Sequence, residues 1–228
     1  MKWLLLSAFA ALSFRALAQE NVFFTGFFPE AALSGSVSDR VQLTLKVESQ
    51  HRGYDNRATE GERWEYFHYQ TDLQGFVALS LNPFWKVSGG YQYRLAGGNG
   101  ANTHRSIQQA AYVQRLLRSR LGHRLRTDQT YHPTEATEFR VRYRLSIEIP
   151  LAGQSLDPGE FYLLLSDEVI YGYQEDSGEI ENRLVGSLGH YFSKQAKLEA
   201  GLDYRTDRYI AEGFRTRLWF KVGGYFSL

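Results

Sequence analysis

Apolar and polar residues alternate along almost the whole chain, and the period is two. Across 139–149 one face reads Phe139, Val141, Tyr143, Leu145, Ile147 and Ile149, and the other reads Arg140, Arg142, Arg144, Ser146 and Glu148. Ala196, Leu198, Ala200, Leu202 and Tyr204 alternate with Lys197, Glu199, Gly201, Asp203 and Arg205. Residues 41–48 and 85–95 repeat the pattern. The last segment sets Leu218, Phe220, Val222, Phe226 and Leu228 against Arg215, Arg217, Trp219, Lys221 and Tyr225. A period of two predicts strands with two unlike faces. Turn signals divide the chain into segments near 21–34, 39–53, 63–82, 84–97, 104–118, 120–132, 137–150, 159–173, 179–193, 196–207 and 212–228.

A soluble β-sandwich or lipocalin-like barrel also alternates, and three features separate this chain from those. Segments such as 84–97 and 212–228 exceed the roughly 5–6 residues usual for soluble strands. The polar face carries Arg, Lys, Asp and Glu, which a packed soluble core would not hold unpaired. Aromatic residues crowd the segment ends, as in Tyr66, Phe67 and Tyr69, or Tyr171 and Tyr173. Such aromatic girdles flank the apolar band of outer-membrane barrels. The expectation is therefore an all-β, antiparallel, up-and-down transmembrane barrel, apolar side chains outward and charged ones in the lumen. Eleven segments is an awkward count, because bacterial barrels are usually even. Pro29 weakens the first segment, and Gln108 and Gln109 blur the fifth, so ten or twelve strands are expected. Short turns at Asn82-Pro83, Ser119 and Lys194-Gln195 mark one end. Longer connections at 53–62, 98–103, 133–136, 174–178 and 208–211 mark the other, outer end.

Composition narrows the class. Mean hydropathy is −0.40 over 228 residues, too hydrophilic for helical spans of about 20 apolar residues each. With 26 Lys+Arg against 25 Asp+Glu, the chain lacks the basic excess of a nucleic-acid binder. No cysteine is present, which excludes disulfides, thiolate metal sites and a lipoprotein anchor. Residues 1–18 read as a cleaved signal peptide: Lys2, an apolar run, then Ala16-Leu17-Ala18. Residues 19–228 are then one barrel domain, exported to the bacterial outer membrane, with its lipids and the barrel-insertion machinery as partners. Phe226 and Leu228 form the apolar end that this machinery reads.

Three stretches carry a family resemblance: Glu138 to Leu145, Phe161 to Glu168, and Glu181-Asn182-Arg183-Leu184 with Gly189-His190-Tyr191-Phe192. Together with Ser38-Asp39-Arg40, they resemble the outer-membrane family known as domain of unknown function 2490. The resemblance implies location and barrel fold, and no activity.

The candidate chemistry is the charged inner face. Arg124, Arg126, Arg140, Arg142, Arg144, Arg183, Arg205, Arg215 and Arg217 should point inward with Glu48, Asp128, Glu148, Glu168, Glu199 and Asp203. Ion pairs filling the lumen give a structural or narrow-passage role without enzymatic chemistry. An anion-selective constriction is the alternative, since Arg rings favour anions. Asp167 shares the parity of Leu163, Leu165 and Val169, and a bulge turning it inward is expected, because a lipid-facing carboxylate is expensive. His104 and Ser106 place a base and a hydroxyl on one side of a strand, the basis of an alternative lipid hydrolase, with no orienting acid identifiable. His51, His68, His123, His132 and His190 lack metal-ligand spacing and read as interface or lumen residues. Gly97-Gly98-Asn99-Gly100 reads as a mobile outer loop. No cofactor is implied.

Overall fold

The computed structural model describes residues 22–209 and 214–228; the expected signal peptide lies outside them. The chain forms eleven strands: β1 (Val22–Ser36), β2 (Val41–Asp55), β3 (Phe67–Ser80), β4 (Trp85–Ala96), β5 (Thr103–Arg115), β6 (Arg120–Tyr131), β7 (Glu138–Pro150), β8 (Glu160–Gln174), β9 (Ser177–Ser193), β10 (Ala196–Asp207) and β11 (Arg215–Ser227). Consecutive strands pair antiparallel, and the sheet closes on itself. The expectation of ten or twelve strands is corrected to eleven. An odd count makes the first and last strands run the same way, so closure is parallel, from Val22↔Arg215 to Ser34↔Ser227. The barrel is thus antiparallel except at this seam.

The two segments that looked weakest are full strands. Pro29 sits inside β1, opposite Val222 of the seam. Toward β2 the pairing passes from Phe27↔His51 to Glu30↔Glu48, lapsing beside the residue that has no N–H to donate. β5 pairs without interruption on both sides, so Gln108 and Gln109 sit in regular alternation.

One end of the barrel carries the tight connections 37–40, 81–84, 116–119 and 194–195 together with the C-terminus; residues 151–159 are the long exception there. The other end carries 56–66, 97–102 and 132–137. We refer to these as the turn end and the loop end. The β8–β9 connection, expected to be long, is a two-residue turn: Glu175 and Asp176 have φ of 48° and 61°, the paired positive values of a type I′ hairpin. Residues 63–66, expected in a strand, belong to the β2–β3 loop.

Burial is inverted relative to a soluble protein. Leu43, Leu45, Val47, Leu73, Val77, Val141, Leu165, Leu184, Leu202 and Phe220 are exposed, whereas Asp72, Arg105, Arg126, Asp128, Arg142, Glu168, Asp203 and Arg217 are buried. Closure leaves no unpaired sheet edge, so backbone N–H and C=O groups in the strands are satisfied within the wall. Apolar wall outside and ionised groups inside is the architecture of a transmembrane β-barrel. The lumen is not uniformly polar. Phe24 and Phe28 of β1 point inward onto Trp219 of β11, with Val22 and Tyr69 beside them. This aromatic wedge fills the seam side of the barrel.

Candidate functional site: the charged lumen

Because alternate residues of each strand face inward, the polar set of every strand meets in one space. A cavity of about 750 Å³ runs through it, from Gln42 and Lys86 near the turn end to Ala101, His132 and Glu135 at the loop end. Two buried carboxylates organise one wall. Glu168, 1% exposed, accepts hydrogen bonds from Arg124 Nη2 and Arg142 Nη2, each at 2.6 Å, with Arg144 Nε at 3.3 Å and Arg183 Nη1 at 4.0 Å. Asp128, fully buried, takes Arg126 Nε at 2.5 Å and Arg142 Nη1 at 3.3 Å, with Arg140 Nε at 3.7 Å. Arg142 bridges the two acids. The register makes this unavoidable: Asp128↔Arg140 and Arg126↔Arg142 face each other across β6–β7, and Arg144↔Glu168 across β7–β8.

The pairing is unequal. β5, β6 and β7 aim Arg105, Arg124, Arg126, Arg140, Arg142 and Arg144 at the cavity, and the acids within ion-pair distance of them are Asp128, Glu138 and Glu168. Arg105 is buried and hydrogen-bonds Thr130 Oγ1 at 2.9 Å and Gln92 Oε1 at 3.5 Å; among the described residues it has no ion pair. Elsewhere the lumen balances itself. Asp72 grips Arg94 through both oxygens at 2.7 Å, and Asp203 holds Arg205 in the same way at 2.8 Å. Asp207 takes Arg215 and Arg217, Glu181 takes Arg183 and Arg217, and Glu30 lies between Lys46 and Lys221. At the turn end Glu199 accepts from Tyr162, and Glu148 faces Arg120 and Lys197. At the loop end Asp55 hydrogen-bonds Arg57 and holds its guanidinium above the ordinary value, while Arg57 lies over the Phe24 ring at the edge of the wedge.

The model of a protein family of unknown function, DUF2490, matches residues 25–213. The chain belongs to that family. Among solved structures, the siderophore receptor PirA from Pseudomonas aeruginosa aligns with 81% of this chain at 14% identity and a TM-score of 0.33. The chain spans about a third (34%) of that receptor. No curated relative matches.

All the arginines and acids read as inward from the sequence stand on the lumen side, most of them in the ion pairs above; Glu48 pairs with Lys46 at 2.6 Å, and Glu199 is held by the Tyr162 hydroxyl. Four predicted positions face outward. Asp167 stays on the outer wall: β8 pairs with β7 and β9 without a bulge, and the carboxylate is met there by Asn182 Nδ2 at 2.6 Å. Side-chain bonding, not a backbone kink, accommodates it. His104 and Ser106 also face outward but bond to different partners. His104 Nδ1 lies 2.8 Å from the Tyr91 hydroxyl, and Ser106 donates to Gln129 Oε1 at 2.6 Å. Phe226 lies on the outer wall at the turn end, opposite Leu33 and Ala196. Leu228 is tied to β1 through its N–H to Ser34 O at 2.9 Å. Sequence reading put Arg94 on the polar face of its strand without naming it in the charged set, and it missed Arg105 and Asp72, although both have the inward parity of their strands. It also missed Phe24 and Phe28, because β1 carries aromatics on both parities.

Proposed function

We propose that this protein is a bacterial outer-membrane barrel that gives small anionic solutes a narrow passage along its lumen. The supporting observation is the excess of arginine over carboxylate on the β5–β7 wall of the cavity, centred on Arg105, Arg140 and Arg142. Fixed guanidinium groups inside a low-dielectric wall raise the local concentration of anions. The seam-side wedge of Phe24, Phe28 and Trp219 narrows the bore and confines the passage to small solutes. Export through the expected signal peptide, and insertion guided by the Phe226 and Leu228 end, belong to the same reading. No covalent chemistry is assigned to the lumen.

The test is conductance of the refolded mature chain, residues 19–228, in a planar bilayer with a salt gradient. Discrete steps with anion preference are expected, and Arg105→Gln with Arg140→Gln should reduce that preference at unchanged folding. Silence from a demonstrably folded barrel, or cation preference, overturns the reading.

A further inference from the structure

The outer wall holds a second arrangement near the loop end. On β2 the apolar series Val41, Leu43, Leu45 and Val47 gives way to Ser49 and His51; on β3 the series Leu79, Val77 and Leu73 gives way to Thr71 and His68. These four side chains and Tyr66, from the loop between the strands, form one hydrogen-bonded chain. Ser49 Oγ lies 2.8 Å from His51 Nε2, and His51 Nδ1 lies 2.7 Å from the Tyr66 hydroxyl. Ser49 Oγ also lies 2.8 Å from Thr71 Oγ1, which is 2.8 Å from His68 Nε2. The Tyr66 ring stacks on His51 at 17° between planes.

The backbone is shaped around this cluster. Both ladders of β2 shift register beside it, between Thr25 and Gly26 on the β1 side and between Gln50 and His51 on the β3 side. Glycines make these approaches possible: a Cβ on Gly26 would collide with the His51 carbonyl oxygen, and one on Gly97 with that of His68. Bulges re-aim side chains and are enriched beside active sites. Two proton arrangements, opposite in direction along the chain, satisfy every contact. In the one that makes His51 the base, Ser49 donates to His51 Nε2, His51 Nδ1–H donates to Tyr66, His68 Nε2–H donates to Thr71, and Thr71 donates to Ser49 Oγ. That is a hydroxyl within hydrogen-bond reach of a base, the base being oriented by a third group, which is the arrangement of an activated nucleophile.

We propose that Ser49 and His51 are a catalytic dyad that hydrolyses acyl esters of lipids in the leaflet at the loop end. The inference rests on the membrane placement proposed above and not on conduction. The dyad sits where the apolar band ends, the depth at which an acyl ester linkage lies between hydrocarbon and headgroup. Ser49 Oγ attacks the ester carbonyl carbon while its proton passes to His51 Nε2. The tetrahedral intermediate collapses, the C–O bond to the lipid alcohol breaks, and His51 returns the proton to that alcohol. Water, deprotonated by His51, then cleaves the acyl-Ser49 ester, releasing a fatty acid and regenerating the hydroxyl. Thr71 O–H, backed by His68, is the donor set beside the developing oxyanion; Tyr66 is a positioning residue.

The test uses the mature chain, first folded in detergent with an alkyl fluorophosphonate, and then in vesicles. One set of vesicles contains phosphatidylethanolamine and another an ester-acylated glucosamine lipid. A covalent adduct on Ser49, located by peptide mass spectrometry, and fatty-acid release from at least one lipid are expected; which vesicles respond identifies the lipid source. Ser49→Ala should abolish adduct and release, and His51→Ala should slow release about 10²–10⁴-fold, with both variants retaining the heat-modifiable gel mobility of a folded barrel. A folded barrel with no adduct and no release from either lipid overturns the proposal, as does release undiminished in Ser49→Ala. A silent bilayer leaves the dyad standing, and an unlabelled Ser49 leaves the passage standing.

Discussion

Replacing Glu168 by Gln keeps the shape of the side chain and removes the charge around which the arginine wall is built. Its four neighbours are not equally affected. Arg142 retains Asp128 at 3.3 Å and Arg183 retains Glu181 at 2.7 Å, whereas Arg124 and Arg144 have Glu168 as their ion-pair partner among the described residues. Leaving a buried charge without its counter-charge destabilises by about 3–5 kcal/mol. Arg124 and Arg144 keep 23% and 33% of their side-chain surface exposed, and water in the cavity solvates part of what they lose, so about 3 kcal/mol is expected. This corresponds to a more than hundredfold shift in the unfolding equilibrium, at about 1.4 kcal/mol per tenfold. Urea unfolding in vesicles, followed by tryptophan fluorescence and gel mobility, should show a midpoint lower by about 1–3 M at unchanged slope, for slopes of about 1–3 kcal/mol/M. Adding Arg144→Gln should recover part of the loss, because it removes one stranded cation, giving a coupling of about 1 kcal/mol or more in the double-mutant cycle. A Glu168→Gln barrel within about 0.5 kcal/mol of the parent would refute the idea that this carboxylate organises the wall, since that is the range of uninvolved surface substitutions.

Further outcomes follow from the same geometry. Trp219→Ala empties a fully buried site against Phe24, Phe28 and Tyr69. It should lower stability by about 3–5 kcal/mol and enlarge unit conductance, both measurable on one refolded sample. Leu45→Arg, on the exposed wall, should cost about 2–4 kcal/mol at the bilayer midplane. Thr44→Arg, one residue away on the cavity side, should cost much less, and comparable costs would mean the faces are misassigned. Asp167→Leu should stabilise the barrel in vesicles by removing a lipid-facing carboxylate. Destabilisation by more than about 1 kcal/mol would show instead that the Asp167–Asn182 bond holds β8 to β9, as buried hydrogen bonds to charged groups do.

The two-residue period alone determined most of this architecture. A strand has two faces, and each face must meet a solvent suited to it; long runs with charge on one side and leucine on the other leave a lipid-facing wall and an ionic lumen as the stable solution. The inward direction of Arg124, Arg142, Glu168, Asp203 and Arg217 was therefore legible from residue order. Closure was not. Whether eleven segments make ten, eleven or twelve strands depends on a contact between β1 and β11, nearly two hundred residues apart, and only tertiary pairing shows that they meet in parallel. The direction of β1 was hidden for a related reason. Phe23 and Phe27 face out while Phe24 and Phe28 face in, and an inner face can be aromatic only because Trp219 arrives from the other side of the seam to cover it. Likewise Ser49, His51, Tyr66, Thr71 and His68 are scattered over two strands and a loop, each unremarkable as an interface residue. Cross-strand register and two local shifts bring their polar atoms within hydrogen-bond distance, and register is a property of paired strands that no single segment encodes.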